Sequence, residues 1–305
     1  DLLRHKLNVI VEKPFSKYQI LANAVMIIWT LAIILPFILL FMSSITDENT
    51  LVANGYSFFP KKFSLASYSY IIKSGGQILK AYGVSIGVTV VGTLLNVLLS
   101  ALMAYPLSVK NLPGRNVMMF FVFFTMLFNG GIVPSYIMWT GTFHIKDTIF
   151  AQLLPNFLLS AWNVMMIRTY FTTSIPDGLY EAAEIDGASQ FTIFWKIVLP
   201  LGKPILVTMG TFAGLAYWND WTNGLYYIVK NTGLYNVQNL LNQMVQNIQF
   251  LTQSSNSNVT AAASTIPATG IQMAIAFVAI LPIMLIFPSF QKYYAKGIAL
   301  GAVKG

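Results

Sequence analysis

Four carboxylates, Asp177, Glu181, Glu184 and Asp186, fall within ten residues. Such a cluster can hold a metal, move protons or form charge-assisted hydrogen bonds to a partner. The chain has no cysteine, and its two histidines, His5 and His144, are far apart. No metal-ligand cluster and no nucleophile–base pair accompany the carboxylates. No G-x-x-x-x-G-K-[ST] run is present to cradle a nucleotide. The chemistry that remains is recognition.

The residues around the carboxylates predict a helix–turn–helix over 176–200. Pro176 suits a first helical turn, and Asp177, Glu181 and Glu184 favour the positive half of that helix. Leu179, Ala182, Ala183 and Asp186 recur at near-helical spacing, and the two alanines are expected to make one face flat. Gly187 allows the left-handed backbone that ends a helix. Ser189 can cap a second helix with Phe191, Phe194, Trp195 and Val198 on its apolar side. Pro200 is expected to end it, and Pro204 to open the next element. An ordinary amphipathic loop hugging an anionic leaflet would be basic, whereas this one is acidic.

The elements that carry this loop are membrane spans. The chain of 305 residues is 56% hydrophobic and 9% charged, against about 25% charged in soluble domains. Charge-free runs cover 18–46, 81–109, 116–145, 148–167, 204–219 and 231–291. A helix needs roughly 20 apolar residues to cross the hydrocarbon. Six spans follow, near Tyr18–Ser44, Ala81–Val109, Asn116–Trp139, Thr148–Phe171, Pro204–Leu225 and Gly270–Phe290. The expected fold is therefore an all-α polytopic membrane protein. It has a basic leader (1–17), a six-helix membrane domain (18–290) and a basic tail (291–305). Within the domain lie the polar loop 176–200 and two long connections, 45–80 and 226–269. The first span is too long for a signal h-region and reads as a retained helix.

Placing the N-terminus inside puts 12 of the 18 Lys and Arg residues inside and 6 outside. This positive-inside bias expects both termini, and the acidic loop, in the cytoplasm. The net charge of +8 is then a topological signal. A nucleic-acid surface is disfavoured because the basic residues are dispersed along helix ends.

Intramembrane polar groups are candidates for a solute path, and also for helix–helix glue. They are Asn129, Asn163, Trp218, Asn219 and Asp220. The break Asn129-Gly130-Gly131 with Pro134 is either a packing kink or a cavity lining. Gly83 and Gly87 have the spacing that lets helices approach closely. Asn258-Val259-Thr260 matches a glycosylation sequon, a short pattern that arises by chance. All ten acidic residues fall in loops or near helix ends, which disfavours a proton- or sodium-coupled carrier.

Glu181-Ala182-Ala183, Gly187, Ile197, Leu199 and Pro200 match the EAA loop of ABC-importer permeases in type and spacing. Asp186-Gly187-Ala188 extends the match to EAA-x-x-DGA, usual in sugar permeases. Nearly the whole chain resembles the carbohydrate-uptake permeases of the MalG/LplC type, the binding-protein-dependent transport inner-membrane components. Phe128-Asn129-Gly130-Gly131-Ile132-Val133-Pro134 resembles the branch associated with oligosaccharides and polysaccharide fragments. The resemblance implies a type I importer fold in a bacterial plasma membrane. It implies a second homologous permease, two copies of a cytoplasmic ATP-binding subunit and an extracellular solute-binding protein. ATP and Mg would sit on the ATPase, with no cofactor in this chain. In this family the loop is a coupling helix. The resemblance implies that Glu181 anchors it, Ala182 and Ala183 allow close approach, and Asp186, Gly187 and Pro200 shape it. A non-sugar solute, and less so a secondary transporter, are the alternatives.

Overall fold

The computed structural model describes residues 17–73, 75–253 and 268–302. Most of the leader, the Asn258 sequon and the last residues of the tail lie outside the described residues. Every regular element among the described residues is helical, apart from one isolated bridge between Thr46 and Phe63. The chain divides into two compact units. One gathers the residues up to Tyr70 and the start of the last helix through Phe277, and the other holds the rest.

In the first unit, α1 (Lys17–Ser44) is apolar all round and exposes Leu21, Trp29 and Ile33. Such a helix satisfies every backbone group internally and is stable in hydrocarbon. The expected loop that follows is more ordered than its composition suggests. It holds α2 (Glu48–Asn54) and α3 (Ala66–Lys73). Asp47 N–H donates to the Lys62 carbonyl at 3.0 Å, and Ser64 N–H to that of Ile45 at 2.9 Å. Glu48 accepts hydrogen bonds from the N–H groups of Thr269 (2.9 Å) and Gly270 (2.8 Å). It thereby caps the last helix, α15 (Ala268–Ala302), with a negative charge at its positive end.

The second unit is built on α4 (Gly75–Ser108), which starts six residues before the expected Ala81. Its buried stripe is Ser85, Val88, Gly92, Asn96, Ser100 and Ala104, at steps of three and four residues. That stripe leaves Gly83 and Gly87 exposed, with nothing within 4 Å of a Cβ at either. The close approach occurs at Gly92, where an added Cβ would collide with the ring of Tyr217.

Next come α5 (Arg115–Leu127) and α6 (Ile132–Ile137), the latter extended by a π turn to Thr142. The two segments are bent by 109° at Asn129-Gly130-Gly131. The expected continuous span Thr148–Phe171 is broken. It consists of α7 (Phe150–Leu153), an irregular stretch, and α8 (Ala161–Ser174). Pro155 cannot donate an intrahelical hydrogen bond, and Asn156 sits in the left-handed region at φ 67°.

The polar loop forms α9 (Asp177–Ile185) and α10 (Gln190–Ile193). A π turn over Phe194–Val198 leads to α11 (Leu199–Leu201) and then α12 (Lys203–Asn219). The helical path runs through Pro200 rather than ending there. The wider π turn accommodates the missing Pro200 N–H, and the 79° bend falls at Gly202. Finally, α13 (Thr222–Tyr227) and α14 (Val237–Gln253) precede α15.

Among the described residues, three helices are long and apolar enough to cross a membrane, and two bent pairs pass the same test jointly. The remaining apolar segment, α8, has 14 residues, short of the roughly 20 a straight span needs.

Candidate functional site

The acidic loop is held to one end of α4. Ala183, Ile193, Phe194 and Val198 join a core with Ala101, Ala104, Tyr105 and Leu107 of α4 and Ile167 and Phe171 of α8. Tyr105 donates to Gln190 Oε1 at 2.5 Å, and Gln190 Nε2 donates to Glu184 Oε1 at 2.9 Å. The rings of Tyr105 and Tyr180 stack at 6.4 Å. Lys110 and Asp177 form an exposed ion pair at 2.5 Å, which contributes little by itself.

The turn closes as a Schellman motif. Ala188 N–H donates to the Ala183 carbonyl at 2.9 Å and Gly187 N–H to that of Glu184 at 3.0 Å. Gly187 takes φ 74° to allow it. Ser189 accepts from Thr192 N–H at 3.3 Å and caps α10. The two alanines do not share one face. Ala183 is buried in the core, while Ala182 is exposed beside Glu181, Asp186 and Ile185. Ile185 is 86% exposed, an unusual position for an isoleucine on a polar loop. Pro200 is also exposed, on the wall of a cavity described next.

The five solute-path candidates are dispersed. Trp218 is buried and lines a cavity of about 840 Å³ between α4, α12 and the middle of α15. Thr89, Thr93, Gly210, Gly214 and Trp195 share its wall. The Thr89 and Thr93 hydroxyls are buried without a hydrogen-bond partner among the described residues. Asn163 lies elsewhere, in a bridge that repairs the break in the fourth segment. Its Nδ2 donates to Asn96 Oδ1 at 2.7 Å, and Asn96 Nδ2 donates to the Phe157 carbonyl at 2.7 Å. Tyr217 serves the Leu153 carbonyl (2.8 Å) and Asn223 that of Pro155 (3.1 Å). Every carbonyl in that group is satisfied by a neighbouring helix, as a break in hydrocarbon requires.

Asn129 is exposed, and its Oδ1 accepts from Gly131 N–H at 2.9 Å, a local turn at the 109° bend. The chain is kinked at that break. Asn219 is exposed at the end of α12. Asp220 is buried, and its Oδ1 caps α13 by accepting from Thr222 Oγ1 (2.6 Å) and the N–H groups of Thr222 (3.0 Å) and Asn223 (3.3 Å).

Sequence reasoning missed the network around Asp220. Asn236 Nδ2 donates to the Asp220 carbonyl (2.7 Å) and to Gln152 Oε1 (3.1 Å). Asn239 Nδ2 donates to the Trp221 carbonyl. Single Asn and Gln residues scattered between 152 and 239 carry no spacing signal, so only the fold could assemble them. Nearby, Asp147 accepts from Val229 N–H (2.7 Å), Lys230 N–H (2.7 Å) and Asn231 N–H (3.1 Å). Those hydrogen bonds, that of Asn231 foremost, hold its carboxyl below the usual carboxylate range.

Residues 81–300 match the family of binding-protein-dependent transport system inner membrane components. The chain belongs to this family. The permease is 36% identical to protein LplC of Bacillus subtilis (strain 168), over 89% of this chain and 90% of the other. It is also 36% identical to the polygalacturonan/rhamnogalacturonan transport system permease protein YtcP of the same organism, over 94% and 98% of the two chains. Among solved structures, it is similar to a chain of a bacterial ABC transporter involved in the import of the acidic polysaccharide alginate. The TM-score is 0.77 at 26% identity, covering 92% of this chain and 100% of that one. The permease is accordingly an all-helical, multi-pass inner-membrane transport component.

Proposed function

We propose that the permease is one transmembrane subunit of an ATP-driven, binding-protein-dependent importer of oligosaccharides or polysaccharide fragments. Its relatives' transport of galacturonan-type and arabino-oligosaccharide cargo supports the carbohydrate reading. ATP hydrolysis belongs to a separate cytoplasmic subunit present in two copies, with ATP and Mg bound there. A second permease and an extracellular solute-binding protein complete the assembly. Both termini face the cytoplasm.

The observation that carries the drive mechanism is the geometry of α9. Its inner face is fixed to α4 and α8 through Ala183, while Glu181, Ala182 and Ile185 stand outward. A push on the outward face therefore reaches α4 and α8 through packed side chains. Ala182 lets a partner groove approach, Ile185 supplies apolar contact, and Glu181 supplies charge-assisted hydrogen bonds. Asp186 and Gly187 hold the turn. The bend at Gly202 carries displacement on to α12, whose wall of Trp218 borders the cavity. In this reading the solute passes that cavity. Trp218 offers a ring face on that largely apolar wall. Asn163 supports the path from the broken fourth segment, and Asn129, Asn219 and Asp220 contribute to it away from that cavity.

Glu181→Lys in the complete importer tests the coupling. Uptake is expected to be lost while membrane abundance stays at the wild-type level. Normal uptake at that abundance would remove the coupling assignment. A glycan panel on the cognate binding protein tests the cargo.

A further inference from the structure

We propose that the outward face of α14 is a contact surface for an uncharged, hydroxyl-rich stretch of glycan. The inference rests on the carbohydrate reading above and narrows its ligand to neutral sugar. Eight of the seventeen residues of α14 are Asn or Gln, and none is charged. Its apolar side is already used. Val237 and Leu240 are buried, with Leu241 and Met244, against Ile78, Ala81 and Tyr82 of α4 and Ala279 of α15. The opposite side carries Gln246, Asn247 and Phe250 exposed and Asn242 and Gln243 half-buried. From Asn242 to Phe250 that face runs ~12 Å along the helix axis.

Each amide offers two N–H donors and a two-lone-pair acceptor. That matches sugar hydroxyls, which both donate and accept, while Phe250, 72% exposed, offers a flat apolar face beside them. Other occupants fit less well. A membrane-surface helix keeps its apolar side for lipid and carries Lys and Arg on the polar one. A protein docking site is enriched in Trp, Tyr and Arg, which α14 lacks. A face kept only for solubility carries charges of both signs. An acidic glycan would call for basic partners, also absent from this helix.

The platform is rigid where it begins. Ser85 Oγ accepts from Val237 N–H at 2.8 Å, and Asn236 Oδ1 accepts from Asn239 N–H at 2.8 Å. Asn236, Asn239 and Gln152 are each at least 95% buried. Holding the surface before the ligand arrives lowers the ordering cost of binding. The platform also sits at the end of α4 opposite α9. Ser85 and Tyr105 are separated by ~30 Å of helix, about the hydrocarbon thickness.

The chain has no cysteine, so a Gln246→Cys variant takes a single environment-sensitive fluorophore. The complete importer in lipid nanodiscs, without binding protein, is titrated with arabinotriose, maltotriose and trigalacturonate. Uptake of the same sugars is measured in parallel. A neutral trisaccharide that is taken up is expected to give a saturable signal change, absent from a Lys61→Cys control on the exposed 45–80 connection. The unlabelled double variant Gln246→Ala, Asn247→Ala is expected to raise the half-saturating concentration for uptake at least threefold at unchanged membrane abundance. Uptake of a neutral trisaccharide with no signal and unchanged half-saturation would overturn the inference and leave the carbohydrate reading intact. A response only after binding protein is added would overturn it in favour of a protein contact. A response to trigalacturonate alone would overturn the neutral-ligand assignment. Import of no carbohydrate at all would overturn both.

Discussion

At the scale of single residues, position 187 carries a local backbone constraint. Its φ of 74° closes the turn between α9 and α10. An L side chain in that region costs roughly 1–2 kcal/mol. Gly187→Ala should therefore speed amide hydrogen exchange at Ala188, whose N–H closes the motif, without removing the protein from the membrane. Tyr217 makes a different contribution, serving the Leu153 carbonyl inside a broken segment. In soluble cores such an orphan costs about 1–3 kcal/mol, but membrane hydrogen bonds average about 0.6 kcal/mol. The membrane value applies here, so Tyr217→Phe should lower the detergent melting temperature only slightly. A large drop would mean that the Leu153 carbonyl has no substitute donor.

Asp147 gives the pH dependence at this scale. Three backbone donors, that of Asn231 foremost, hold its folded pKa below the ordinary carboxylate value. The stability it adds is therefore present above pH 3.8 and is lost as pH falls through the lower folded value. Asp147→Asn should reproduce the acid state at neutral pH. Faster exchange of the Val229–Asn231 amides in the variant, with no further change on acidification, is the expected result.

At the scale of elements, breaks matter more than helices. The bends at Asn129–Gly131 and Gly202 and the interruption at Pro155 each sit where a Pro or Gly removes or frees the backbone. What makes the Pro155 break affordable is Asn96, which touches both Phe157 and Asn163. Asn96→Leu removes a donor and an acceptor at once. It should destabilise α4 against α8 by more than Asn163→Leu, because the second change leaves the Phe157 carbonyl still served. Thermal melts of the two variants check the order. Glu48 acts on another element, capping α15 from far away in sequence. Glu48→Ala should cost about 1 kcal/mol, read as faster exchange in the first turn of α15.

At the scale of the whole molecule, polar surfaces lie at the two ends of α4: α9 by Tyr105, and α14 by Ser85. The topology drawn from lysine and arginine puts α9 inside and α14 outside. Ile185→Cys and Gln246→Cys should then react with an impermeant maleimide from opposite faces of sealed vesicles. Labelling from the same face would reject that orientation.

Hydrophobic runs by themselves marked the membrane class, because crossing hydrocarbon demands long uncharged stretches whatever the packing. The turn between the two helices of 176–200 was equally legible, since caps and glycine act locally. Gly187, Ser189 and the helix over Asp177–Ile185 stand where their types require. Tertiary structure alone decided which way each residue faces. It set Ala183 into the core and Ala182 outward, and turned Gly83 and Gly87 away while pressing Gly92 on Tyr217. In a uniformly apolar helix no hydrophobic stripe records the buried side, so that information appears only when a neighbour packs against it. The same holds for the amide network of Gln152, Asn223, Asn236 and Asn239. Its partners lie far apart in sequence, and hydrogen bonds at that separation exist only once the chain has folded.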